Sequence, residues 1–391
     1  MINCFPLLSQ PINLTQLNKL FLKKIIVSVS NDLSSDQRVK KVCQSLIEMG
    51  FTLVLLGRIL PDSIDLSDRN YLSKRFKLWF NIGPLFYANL NIRLFFYLLL
   101  NKSDLLLAND LDTLPANFLA SKIKRIPLVY DTHEYFTEVP ELQGRLAKKI
   151  WESIEGYIFP KLKHVITVND SIASIYQQKY GNTIHVIKNI PNRLTQPITT
   201  TKSWNKLFNQ QKYIILQGAG INVDRGGEEL MEAMKFVNNC HLLIVGGGDV
   251  IPKLKLQAQH LWLQSKVTFL PKQNREKLME LTAGAALGLS LDKDTNLNYR
   301  YSLPNKLFDY IQAGIPILAS NLPEVAAVIQ QYGVGMLIEN HSPKEIANKI
   351  ELMLAQDFKA NNQAALRKAA AELVWENQEN ILKDLYLPFL K

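Results

Sequence analysis

The sequence predicts an α/β protein made of two Rossmann-like domains with parallel sheets. Short apolar runs alternate with amphipathic helical stretches along most of the chain, the pattern of strand–helix–strand crossovers. A polar stretch at 195–209 divides these runs into two series. Polar residues also cluster immediately after the runs, and in open α/β sheets ligands bind outside the carboxyl ends of the strands.

The first series of strand-like runs lies at 25–29, 52–56, 105–108, 128–130, 165–168 and 183–187. The second lies at 213–217, 241–245, 267–270, 287–289 and 317–319. Helical stretches between them imply right-handed parallel crossovers. The expected layout is a lead-in at 1–22, a first domain at 23–195, a second at 196–374 and a C-terminal helix at 375–391. The start, MINCFPLLSQPINLTQ, lacks the basic first residues and apolar core of a signal peptide. The best candidate for a membrane span, 78–100, carries Asn81, Pro84, Asn89, Asn91 and Arg93, each costly in hydrocarbon. It is expected as a core or surface-associated helix.

A chain of 391 residues with 47% hydrophobic and 20% charged residues suits a soluble globular protein with a large core. Cys4, Cys43 and Cys240 are scattered, with no metal spacing and no disulfide framework, as in a reducing cytoplasm. The net charge of +10 is uneven: residues 1–195 hold 24 Lys/Arg against 16 Asp/Glu, and residues 196–391 hold 21 against 19. A basic first half suits an anionic membrane or an acidic substrate. Nucleic acid is the poorest match, because aromatic residues do not interleave with the basic ones as in a stacking platform. The expected location is cytoplasmic. Peripheral contact with an anionic membrane is expected through Lys74, Arg75 and Lys77 ahead of 78–100, and through Lys122, Lys124 and Arg125.

The most informative stretch is 302–320, SLPNKLFDYIQAGIPILAS. Pro304 stands where a helix would start and Gly314 where it would stop, and Pro316 blocks continuation. Asn305, Asp309 and Gln312 fall on one helical face, and Leu307, Phe308 and Ile311 on another. The unpaired N–H groups of a helix start, here around Leu303, Pro304 and Asn305, suit a phosphate. Asp309, over a turn further in, is placed to hold a hydroxyl pair on whatever carries that phosphate.

This stretch resembles the nucleotide-sugar signature of family 4 glycosyltransferases, in a variant that reads P-N-K-L-F-E-Y, small residues, then G-x-P. Here Pro304-Asn305-Lys306-Leu307-Phe308-Asp309-Tyr310 is followed by Ala313-Gly314 and Pro316. Two acidic residues with seven residues between them mark the family; Asp309 replaces the second and Tyr301 the first. The resemblance implies the GT-B fold, two Rossmann-like domains with parallel sheets facing across a cleft.

Other segments extend it. Gly218-Ala219-Gly220 follows a strand and precedes Asp224-Arg225-Gly226-Gly227. Val223 stands at the third glycine position, so this is no dinucleotide fingerprint. The resemblance implies that Arg225 neutralises the donor diphosphate. A second basic residue, usual beside the first glycine, is Ala219 here, which leaves Lys306 as the second cation. Gly246-Gly247-Gly248 resembles a family turn near the nucleotide, and Leu270-Pro271-Lys272 the loop whose main chain reads the base. Asp131-Thr132-His133-Glu134 resembles an Asp-x-His-Glu pattern of the acceptor domain, implying that His133 positions sugar or acceptor. Asp36-Gln37-Arg38-Val39 resembles a further D-x-R-V variant, with Asp36 expected only to favour the helix start.

The reading is a retaining, metal-independent glycosyltransferase. It takes a nucleoside-diphosphate-sugar donor, with no other cofactor, and a glycan or lipid-linked acceptor, in polysaccharide or glycolipid synthesis. A nucleotide-sugar epimerase and a non-catalytic sugar-nucleotide-binding subunit remain as alternatives.

Overall fold

The computed structural model describes residues 22–34, 36–61, 63, 65–66, 69–196, 198 and 212–391. The expected lead-in, apart from Leu22, and most of the polar stretch at 195–209 lie outside the described residues.

Two sheets are present. The first orders its strands β3-β2-β1-β4-β5-β6-β7. They are β1 (Lys24–Ser28), β2 (Thr52–Arg58), β3 (Leu72–Phe76), β4 (Leu105–Asn109), β5 (Leu128–Thr132), β6 (His164–Thr167) and β7 (Ile184–Val186). The second runs β10-β9-β8-β11-β12-β13. Its strands are β8 (Lys212–Gly218), β9 (Cys240–Gly246), β10 (Val267–Leu270), β11 (Leu287–Ser290), β12 (Ile317–Ser320) and β13 (Gly335–Ile338). The pairings of β1 with β2 and β4, and of β8 with β9 and β11, are parallel. Strand order therefore reverses beside β1 in one sheet and beside β8 in the other, the switch point at which doubly wound sheets bind ligands.

All eleven strands expected from the apolar runs are found, within a few residues of their predicted ends. Two strands escape a reading by apolar runs, and both lie at sheet edges. β3, Leu-Ser-Lys-Arg-Phe, is exposed over most of its length and charged, as edge strands tend to be. β13 is only four residues long and mostly half-buried.

Central strands are apolar over most of their length because both of their faces are covered. In β8, Ile214 and Leu216 enter one core cluster while Tyr213 and Ile215 enter the other. Leu242 and Ile244 of β9 alternate with Leu243 and Val245 in the same way. That two-residue alternation is the strand period.

The described residues divide into two compact units. One holds those up to Asp131 with Tyr157–Val165 and Leu382–Lys391; the other holds those within Thr132–Gly156 and Ile166–Ile381. The C-terminal helix Trp375–Tyr386 thus contributes to both. In the second unit the Trp375 N–H donates to the Pro191 carbonyl at 2.8 Å. In the first, Tyr386 meets the Phe51 ring edge-on.

The segment around 78–100 forms a helix, Gly83–Leu100, that buries Phe86, Leu90, Leu94 and Leu98 along one stripe four residues apart. Among the described residues no helix is long and apolar enough to cross a membrane.

Candidate active site

The 302–320 stretch folds as loop, helix, turn and strand, with a helix at Asn305–Gln312. Pro304 is the residue before the helix, with extended backbone, rather than its first member. At the other end Gly314 is left-handed, at φ 67°. The Ile315 N–H reaches the Tyr310 carbonyl and the Gly314 N–H the Ile311 carbonyl, a paired C-terminal cap that requires such a residue. The buried face holds Leu307, Phe308, Tyr310 and Ile311. Tyr310 lies so close over β11 that any Cβ on Gly288 would overlap its ring. Its hydroxyl donates to the Leu289 carbonyl at 3.0 Å, fixing the helix to the sheet.

This anchoring brings Lys306 to Asp292, just past the end of β11, at 3.1 Å. Arg225, reached from β8 through the left-handed Asp224, meets the same carboxylate at 3.1 Å. Asp292 is 1% exposed. Burial works to raise its pKa, but Lys306 and Arg225 hold it below the usual carboxylate value. The Arg225 pKa is raised: burial opposes this, and the Asp292 charge outweighs burial. The Arg225 guanidinium also lies over the Tyr299 ring, 4.3 Å from its centroid. Two cations therefore share one buried carboxylate at the carboxyl end of the sheet and leave an excess positive charge there.

Asp292 is not among the residues singled out from the sequence, yet it is buried between the two cations, while Asp294 pairs with Arg300 at 3.5 Å. An acidic residue directly after an apolar run was the available signal.

Asp309 is mostly buried in the same unit. Its carboxylate accepts from Gln217 Nε2 at 3.3 Å and from Arg275 Nη1 at 3.2 Å. Gln217, at the end of β8, is itself held by the Thr282 hydroxyl at 2.7 Å. The side chain of Asn305 accepts from Asn189 at 3.1 Å. Leu303 packs on the second core, while Lys272 is exposed in the loop after β10. At Tyr301 the main-chain carbonyl accepts from Asn169 at 2.7 Å, so the peptide at that position is fixed although no carboxylate is present.

The two glycine loops meet each other. The Gly247 N–H donates to the Gly218 carbonyl, and the Ile221 N–H to the Gly247 carbonyl. A Cβ on Gly246 would overlap the Gly218 carbonyl, and one on Gly248 the Ile221 carbonyl. Glycine at these two positions is thus required for loop-on-loop contact. Gly218 and Gly220 have no such restriction.

His133 is half-buried, one residue past β5, in the same compact unit as Arg225 and Lys306. The neighbouring Glu134 accepts from Asn298 at 3.2 Å. Asn298 sits beside Tyr299 in the short helix Leu297–Arg300, so one turn of chain connects the His133 segment with Arg225. Asp131 instead takes Arg38 bidentately, at 2.8 and 3.1 Å. Asp36 caps the helix Gln37–Glu48 by accepting from the Val39 N–H at 2.9 Å.

Two family models match the chain in succession. Glycosyltransferase Family 4 matches residues 36–190, and Glycosyl transferases group 1 matches residues 199–373. No curated protein matches the sequence. Solved structures match over nearly the whole length. A sucrose-phosphate synthase from Thermosynechococcus elongatus has TM-score 0.75 and 16% identity, covering 94% of this chain and 98% of its own. A glycosyltransferase from Rickettsia africae has TM-score 0.73 and 16% identity, covering 95% and 99%. Anabaena HepE in complex with UDP and glucose has TM-score 0.71 and 16% identity, covering 94% and 100%. These likenesses bear out the expected fold class. The two family models bear out the resemblance read from 302–320, and the chain belongs to the group 1 glycosyltransferases of family 4.

Proposed function

We propose that this chain moves a sugar, with retention of configuration, from a nucleoside-diphosphate-sugar to a hydroxyl on a glycan or lipid-linked acceptor, in the cytoplasm. One observation carries the reading: Arg225 and Lys306 converge on buried Asp292 beside the start of the Asn305–Gln312 helix. Cations and N–H groups held there in advance would stabilise charge as it develops on a departing diphosphate. Asp292 fixes both cations in place, so little reorganisation is needed when the leaving group forms. Asp309, oriented by Gln217, would take the ribose hydroxyls. His133 would position sugar or acceptor, and no covalent step is assigned to the protein.

Phosphate neutralisation in this scheme needs no metal, since both cations belong to the chain. HepE is solved with UDP and with UDP-glucose, which makes UDP-sugars the first donors to screen. The test is release of nucleoside diphosphate with acceptor present, in EDTA and after added Mg²⁺ or Mn²⁺. Release should depend on acceptor and persist in EDTA. Loss in EDTA with recovery on metal would replace the two-cation scheme. Donor binding without any release would favour the binding-subunit alternative.

A further inference from the structure

We infer that the compact unit holding the described residues up to Asp131 carries a docking surface for an anionic lipid bilayer, built from a headgroup pocket and an adjoining apolar face. The inference does not depend on the transfer reaction. A cavity of about 440 Å³ opens between the helix Leu114–Lys124 and the chain entering β6. Lys122, Arg125, Lys161, Lys163 and His164 line it, and no Asp or Glu does. The lysines and Arg125 have no ion-pair partner among the described residues. Lys122 lies over Phe118 in the wall, 5.3 Å from the ring centroid. A cavity with several cations and no carboxylate is complementary to phosphate.

The apolar face adjoins it. On the helix Gly83–Leu100, the face opposite the buried stripe shows Leu85, Ile92, Phe96 and Leu100, each more than half exposed. Trp79 and Ile82, just before the helix, are 78% and 85% exposed. From Tyr71 to Ser103 there are five Lys/Arg and no Asp or Glu. Arg93 lies over Trp79 and Lys74 over Tyr97, so cations rim the apolar face.

The helix Leu114–Lys124 joins face to pocket. Its Ala116 N–H bonds Asn91, and Lys124 Nζ donates to the carbonyls of Leu98 and Asn101, so this side meets the Gly83–Leu100 helix. At about 3.6 residues per turn, Leu119 and Ile123 come next around the helix, and Lys122 and Arg125 follow at the pocket. Leu119 and Ile123 are both more than half exposed. Lys124, expected to face the membrane, is instead consumed by these carbonyls. Apolar side chains flanked by cations match a bilayer boundary, where alkyl chains take the first and lipid phosphates the second. A soluble phosphate compound would use the cations and leave the apolar face uncovered.

The test is flotation of the full chain with vesicles of phosphatidylcholine alone and of phosphatidylcholine with phosphatidylglycerol, at low and moderate salt. Binding should require phosphatidylglycerol and weaken with salt. Each cation is worth about fivefold, so replacing Lys122, Arg125 and Lys163 by Gln together should weaken binding roughly a hundredfold. Ile92→Ser with Phe96→Ser should weaken binding to the same vesicles at moderate salt. Nucleotide-induced thermal stabilisation should be unchanged in both variants, which separates this outcome from misfolding and from failure of the transfer reading. No binding, equal binding to neutral vesicles, or full binding by the triple Gln variant overturns the inference. So does a thermal shift with inorganic phosphate, lost in the triple variant, when vesicles do not bind; the pocket would then serve a soluble anion.

Discussion

Two groups of cations in this chain differ in what faces them. Arg225 and Lys306 share the buried Asp292 carboxylate, while Lys122, Arg125, Lys161 and Lys163 face a cavity without a carboxylate. A buried partner fixes position at a large desolvation cost; its absence leaves a charge mobile, hydrated and open to an external anion. The first arrangement suits a reacting phosphate that must be met in one geometry. The second suits headgroups that differ in position from moment to moment. Which residues are basic does not separate the two; the location of the carboxylate does.

The comparison can be broken most directly at Asp292. Asp292→Ala strands two largely buried cations and should destabilise the fold by about 3–5 kcal/mol, read by chemical denaturation. Lys122→Ala in the open pocket should shift stability by no more than about 0.5 kcal/mol. Similar values for the two would erase the distinction. The same carboxylate sets a pH dependence. Its pKa is depressed in the folded state, so its contribution is complete above the ordinary Asp value, about 3.9, and is lost as pH falls below that. The parent should therefore lose stability in that acid range, and Asp292→Ala should lose less there.

Next in size is Asp309. Asp309→Ala should weaken nucleoside-diphosphate binding by about 1.5–3 kcal/mol, the worth of a hydrogen bond to a charged group, measured by calorimetry. Unchanged affinity in a folded protein would remove the ribose role and leave Asp309 as a partner of Gln217 and Arg275. His133→Ala should lower kcat by about tenfold, roughly 1.4 kcal/mol, with nucleoside-diphosphate affinity intact. A parallel loss of affinity would instead assign His133 to support of the segment that Glu134 ties to Asn298.

Much of this was legible in the sequence, for identifiable reasons. Central strands are buried on both faces and therefore mostly apolar, so they stand out; β3 and β13, at the edges, do not. The Asn305–Gln312 helix is framed by Pro304 and Gly314, residues that act through local backbone geometry and can be read locally. Asp292, Gln217 and Tyr299 were missed because their significance is a meeting of distant segments. Asp292 is 67 residues from Arg225 along the chain, and no periodicity records such a pairing. The glycine loops were legible as turns. That Gly246 and Gly248 serve contact with the Gly218–Ile221 backbone became visible only from the overlap that a Cβ would cause.

The smallest expected effect lies between the two regimes. Arg275 pairs with Asp309 at 3.2 Å, but its side chain is 59% exposed against 14% for Asp309. An exposed pair of this kind is worth about 0–1 kcal/mol, because water screens the charges and two side chains lose freedom. Arg275→Ala should therefore leave stability within about 0.5 kcal/mol of the parent. Its effect on nucleotide affinity has a definite sign if Asp309 holds ribose. Arg275 then competes for one of the carboxylate oxygens that the ribose would use, so its removal should leave affinity unchanged or raise it slightly, by calorimetry. A fall of about tenfold or more, 1.4 kcal/mol, would mean that Arg275 touches the nucleotide itself. It would then act as a third donor-site cation, and Asp309 would position it as Asp292 positions Arg225 and Lys306.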